Sequence, residues 1–287
     1  MAGTSTSIRV KSWIQVTVRI LGPVTEQTFR ADEEDGILTV TLNRPDRLNA
    51  TNGIARRQMA ELWQQVRDDP RLRCIVLTGA GRAFCAGADA DDMSQGVRPR
   101  GDTGYLAAVE FCPGEWVDIP IIVAVNGLCV GAGLNFIADA DLVLASEAAW
   151  FSDPHLSVGQ VSAMEPLLMA PRFPYPVIAK LVLLGSAYRM PAREALDAGL
   201  VHEVLSPEQL MPRAAELARI IAAQSPTALR ASLKVMRRYA RSLIANQLDD
   251  AWKMAYGHFS HPDATEGPLA FVEKRAPRWV VPDGQSG

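Results

Sequence analysis

The sequence predicts an α/β protein whose helices cover a largely parallel sheet and whose C-terminal segment is helical. Three observations predict it. Short β-branched runs alternate with amphipathic stretches up to about Ser206. Two strand-like runs leave through glycine-rich turns, "LTGAGRAFCAGAD" from Leu77 and "VNGLCVGAGLN" from Val125. Beyond Ser206 strand-like runs stop and helical periodicity takes over.

Taken in order, "IRVKSWIQVTVRILGP" alternates apolar and polar residues, which fits an added strand or a loosely held tail. "GILTVTLNRP" is a β-branched run ended by Pro45. In "NGIARRQMAELWQQVRDDP", Met59, Leu62, Trp63 and Val66 fall at helical spacing, with Asn52 placed to cap the start and Pro70 beyond the end. "CIVLTG", "IIVAVNG" and "LVLAS" read as buried strands. "SPEQLMPRAAELARIIAAQ" opens with a capping box, Ser206 to Gln209, and Pro207 at the first helical position; "SPTALRASLKVMRRYARSL" starts by the same logic. Three regions follow: an extension over 1–27, a core over 28–205 and a helical segment over 206–287, which needs a surface to cover on its own subunit or a neighbour.

With 287 residues, 48% of them apolar, the chain can bury a sizeable core. A net charge of −3 gives no reason to expect nucleic acid or an anionic membrane as partner. No apolar run reaches the roughly 18 residues of a membrane span. Cys74, Cys85, Cys112 and Cys129 form no C-x-x-C pair and sit in apolar surroundings. They fit the reduced, buried thiols of a cytoplasmic protein, and no metal site is expected.

Neither glycine-rich turn gives G-x-G-x-x-G or a Gly-Lys-Ser/Thr ending, so a dinucleotide or ATP reading is set aside. Glycine after a strand also lets the chain turn sharply and expose backbone N–H groups. Two such turns facing each other would offer two donors to one oxygen, which is what an oxyanion hole requires. Tight helix–sheet packing explains the same glycines equally well.

"LNRPDRLNA", "LTGAGRAFCAGADADDM", "PIIVAVNGLCVGAGLNFIADADLVLAS", "AREALDAGLVHEVL" and "LAFVEKRAPRW" stand in an order and spacing that resembles the crotonase superfamily, the enoyl-CoA hydratases and isomerases, over about Thr28 to Trp279. The resemblance implies a spiral of ββα units forming two sheets, and a C-terminal helical segment that builds a homotrimer or hexamer. It implies an acyl-CoA thioester as ligand, with no cofactor beyond the coenzyme A moiety itself. The thioester oxygen would be held by the amides of Ala88 and Ala132. Alanine stands at Ala132 where the family usually has glycine, so the role requires a φ that alanine adopts without strain. Ala86 and Asp89 would line the path of the coenzyme, Arg47 would meet its phosphates, and Phe271 and Lys274 would close over its adenine end. Ordinary solvated charge explains Arg47 and Lys274 as well, and core packing explains Phe271.

The sequence departs from the family where its two catalytic glutamates belong: Asn135 and His155 stand there. An amide cannot exchange protons near neutral pH, and losing one positioned acid or base costs about 10²–10⁴ in rate. His155 is the leading proton carrier, because imidazole titrates near pH 6.5 and serves as base or acid. Asp153 would orient that ring or simply start a turn. Glu165, three residues after Ser162, reads first as the end of a capping box. Asp139 and Asp141 look structural, and His202, His258 and His261 look like surface or packing residues. The run "EPLLMAPRFPYPVIAKLVLLGSAYRMP" suggests a stiff, apolar, altered acyl pocket. The expectation is an acyl-CoA enzyme that is not an efficient hydratase by the usual route; a non-catalytic acyl-CoA binder and an isomerase or hydrolase using His155 are the alternatives.

Overall fold

The structure is a computed structural model that describes residues 14–15, 27–96 and 104–280. Within the N-terminal extension it gives a two-residue strand, β1 (Ile14–Gln15), paired antiparallel with β2 (Phe29–Glu34); the rest of "IRVKSWIQVTVRILGP" lies outside the described residues. β2 and β3 (Ile37–Leu42) form a hairpin through Asp35 and Gly36, both at positive φ. Asp-Gly is a dipeptide that accepts such a turn.

From there the chain steps between two sheets. β4 (Cys74–Gly79), β6 (Ile121–Val125) and β8 (Leu142–Ser146) lie side by side and parallel in a seven-stranded sheet, ordered β1-β2-β3-β4-β6-β8-β11, with β11 at Glu203–Leu205. The strand after each of them leaves for a second sheet. β5 (Ala83–Cys85), β7 (Leu128–Val130) and β9 (Trp150–Ser152) join β10 (Met190–Pro191) in the order β10-β9-β7-β5. Each pair of strands adds one rung to both sheets, which makes the spiral that the motif order implies.

Alternation along the buried strands divides the interior. Cys74, Val76, Ile122, Ala124 and Leu144 face α8 (Pro207–Ala222) and its Leu210, Ala214 and Ala218. Ile75, Leu77, Ile121, Val123 and Val125 face the main core, where α1 (Gly53–Asp68) buries Met59, Leu62, Trp63 and Val66. Asn52 caps α1 by accepting from the Ala55 amide, as its position predicts. Ser225 likewise caps α9 (Pro226–Ser242), whereas Ser206 occupies the cap position of α8 without a capping bond from its side chain. α10 (Leu248–His258) and α11 (Asp263–Val272) complete the helical C-terminal region. No helix among the described residues is long and apolar enough to cross a membrane.

The proline-rich run forms two helices, α5 (Met164–Met169) and α6 (Tyr175–Leu184). Pro174 and Pro176 sit at the start of α6, where a missing amide hydrogen costs least. His202 accepts from the Val143 amide, His258 contacts the Gly159 carbonyl, and Asp141 pairs with Arg237. These are packing roles. All four cysteines are buried and free. Burial pushes the Cys85 thiol up to about 11, away from nucleophilic use.

Candidate active site

Two turns meet at the site, one from each exit the sequence marks. After β5 the chain passes Ala86, whose amide donates to the Leu48 carbonyl at 3.0 Å, and Gly87, at φ 90°. The Thr51 amide donates to the Gly87 carbonyl (2.8 Å) and the Asp89 amide to the Thr51 carbonyl (3.1 Å). This parallel bridge uses the groups on either side of Ala88 and turns its own N–H away. After β7, Gly131 takes the positive φ, 53°, and Ala132 follows at φ −55°, an ordinary helical value. The added methyl is therefore unstrained: the left-handed residue is the glycine before it.

Both Ala88 and Ala132 line a cavity of about 440 Å³, and neither amide donates to a described group. The turns are in close contact. A methyl built on Gly87 would lie 3.3 Å from the Ala132 nitrogen and 2.9 Å from the Val130 carbonyl oxygen.

His155 and Glu165 line the same cavity. The His155 ring is held at Nδ1 by Asp153 Oδ1 (2.5 Å), whose other oxygen accepts from Ser162 Oγ (2.6 Å). Its Nε2 lies 3.8 Å from Glu165 Oε1, a charge pair rather than a hydrogen bond. That same Oε1 accepts from Asn135 Nδ2 at 2.9 Å. Burial by itself would lower the His155 pKa, but the carboxylates of Glu165 and Asp153 outweigh it and raise it to about 9. Burial likewise opposes ionisation of Asp153, yet His155 and the bonds around it hold that carboxyl below its ordinary value.

Three expectations change here. Ser162 and Glu165 do not form a capping box: Ala163 is the cap of α5, and both side chains turn instead to charged or amide partners inside the site. His155 does not titrate near 6.5, so at neutral pH it is an imidazolium, an acid rather than a base. Asn135 holds Glu165 and does not itself line the cavity. The site thus has a carboxylate after all, delivered from α5. Met164, which interrupts the polar pattern just before Glu165, was the available sign that this stretch faces inward. Of the proline-rich run only Glu165 lines the cavity, with Met164 just before it.

The residues expected along the coenzyme are distributed unevenly. Asp89 lines the cavity, but its carboxylate is already paired with Arg44 (2.9 Å) and caps α2 (Ala90–Ser94). Arg47, exposed, pairs with Asp91 at 2.8 Å. Phe271 is 65% exposed, which removes the core-packing explanation, and it sits on α11, packed against α2; Lys274, also exposed, follows at φ 55°. Ala86, Phe271 and Lys274 are not among the cavity-lining residues.

A family model described as Enoyl-CoA hydratase/isomerase matches residues 32–281. The chain belongs to that family. Among similar members, the carnitinyl-CoA dehydratases of Proteus mirabilis (strain HI4320) and Escherichia coli (strain K12) are each 34% identical, over 263 and 267 residues. Both alignments cover 88% of this chain and 98% of the relative. Among solved structures, an enoyl-CoA hydratase/isomerase from Pseudoalteromonas atlantica T6c superposes with a TM-score of 0.79 at 29% identity, over 88% of this chain and all of the other. A carnitinyl-CoA hydratase from Mycobacterium avium gives 0.78 at 30%, over 89% and 99%. Family membership carries the acyl-CoA class of ligand and the ββα architecture with it.

Proposed function

We propose that this enoyl-CoA hydratase/isomerase family member interconverts a 3-hydroxyacyl-CoA and the corresponding enoyl-CoA, eliminating or adding water. The observation that carries the reading is an oppositely charged pair, the Glu165 carboxylate and the His155 imidazolium, beside two uncommitted amides in one cavity.

In the dehydration direction Glu165 takes the α-proton. The electron pair left behind moves onto the thioester oxygen, which the Ala88 and Ala132 amides hold as an enolate. The enolate then expels the β-hydroxyl while His155 Nε2 donates the proton that makes it water. Asp153 keeps the ring charged and oriented, and Asn135 keeps the carboxylate aimed. Hydration is the same path reversed. The names of the dehydratase relatives support this direction; the cavity chemistry supports either.

Turnover of a panel of 3-hydroxyacyl- and enoyl-CoAs, followed by mass spectrometry, tests it. Wild type should convert at least one pair, and Glu165→Gln and His155→Gln should each lower kcat by about 10²–10⁴. Tight binding with no product from any thioester would leave a non-catalytic acyl-CoA binder. Full activity in either variant would remove that residue from the mechanism.

A further inference from the structure

Several charged groups that line the cavity have no role in the scheme above: Arg56, Arg57, Asp89, Asp92 and Glu110. Arg56, on the first turn of α1, lines the same cavity as Ala88, His155 and Glu165. Its guanidinium lies 4.3 Å over the Phe111 ring and gives one hydrogen bond, Nη1 to the Ala108 carbonyl at 3.2 Å. Among the described residues no carboxylate oxygen lies within 4.0 Å of it. Burial lowers its pKa, with the carboxyl groups of Glu110 and Glu165 acting against that from a distance. Of the other carboxylates that line the cavity, Asp89 pairs with Arg44 and Asp92 accepts from the Gly53 amide. Glu110 lines the cavity as well, yet stays out of contact with Arg56.

A half-buried guanidinium that lines a cavity and gives one hydrogen bond is completed best by a planar, two-oxygen partner. We propose that the acyl chain this cavity accepts ends in a carboxylate that pairs with Arg56. The inference rests on the acyl-CoA reading and sharpens it: Arg56 selects dicarboxylic acyl-CoAs and rejects chains that end in a positive charge. The chain would then differ in substrate from its carnitinyl-CoA relatives, since a carnitinyl group carries a quaternary ammonium.

The test is binding rather than turnover. Calorimetry compares glutaryl-CoA with valeryl-CoA and adipyl-CoA with hexanoyl-CoA. All four are saturated and share the coenzyme, and each pair differs only at the chain end. A chain ending in trimethylammonium forms a third arm. At least one carboxylated thioester should bind wild type ten-fold or more tighter than its neutral counterpart. Arg56→Met should abolish that preference while moving the neutral Kd less than about two-fold, and Arg56→Lys, which keeps the charge, should retain part of it. Equal loss for neutral and carboxylated chains would assign Arg56 to the coenzyme and overturn the inference. So would a preference for the cationic chain, or a carboxylate preference that survives Arg56→Met. Failure of every CoA thioester to bind overturns the acyl-CoA reading along with it, whereas binding without charge preference overturns this inference alone.

Discussion

At the scale of the residue, the site turns on one histidine whose charge is set by its neighbours. Because Glu165 and Asp153 lift His155 to about 9, the imidazolium is the acid form through the neutral range. Dehydration should therefore persist to mildly alkaline pH and fall as pH rises through about 9, and a kcat profile measures it. A fall centred near 6.5 would mean the carboxylates do not act on the ring. The same shift bears on stability. The folded state holds its proton more tightly than the unfolded chain does, so the stabilisation is complete below about 6.5 and is lost as pH climbs through about 9. Urea unfolding of wild type against His155→Gln should show the difference between the two shrinking over that window. A second residue-scale prediction concerns Gly87. Gly87→Ala places a methyl 2.9 Å from the Val130 carbonyl oxygen at a φ alanine avoids. It should destabilise by about 1–3 kcal/mol. By forcing the two amide-bearing turns apart, it should also lower kcat more than it raises KM. An unchanged kcat in a folded variant would separate those turns from the chemistry.

At the scale of the element, what was legible depended on whether the signal was local. Asn52 capping α1, the buried faces of β4 and β6 and Pro207 at the first position of α8 are written in consecutive residues, and the structure follows them. The Asp35-Gly36 hairpin is equally local: the dipeptide alone marks the turn from β2 into β3. The role of Glu165 is not local. Its three-residue offset from Ser162 matches a cap, but a capping bond competes with whatever the fold brings near, and here the fold brings Asn135 and Asp153. No sequence pattern joins residues that far apart. The Arg44–Asp89 pair is of the same kind. It ties the end of the β3 exit to the start of α2, with both side chains about nine-tenths buried. Arg44→Met strands a buried carboxylate beside the Ala88 turn, so thermal or urea unfolding should register a loss of about 3–5 kcal/mol. A loss below 1 kcal/mol would show that the pair is solvated.

At the scale of the whole molecule, α9 poses the remaining structural question. It buries only Leu233, while Val235, Met236, Tyr239 and Leu243, clustered by helical spacing, stand between 51% and 70% exposed. Arg237, between them in sequence, turns inward to Asp141 and to the carbonyls of Val117 and Ile119. One face of the helix is thus fixed to the body by charge and the other is left apolar in a single chain, an arrangement that monomers seldom keep. The expected cover is another copy of the chain, in the trimer or hexamer that the resemblance implies. Light scattering after size exclusion should give a mass three or six times that of the 31.2 kDa chain. Met236→Glu with Tyr239→Glu should reduce it to one chain, because two carboxylates would lose their hydration at the interface. Both positions are exposed in the single chain, so the double variant should keep its circular dichroism spectrum, and loss of mass with an intact spectrum locates the contact on this face. A wild type that runs as a monomer at micromolar concentration would show instead that the apolar face of α9 is tolerated in water.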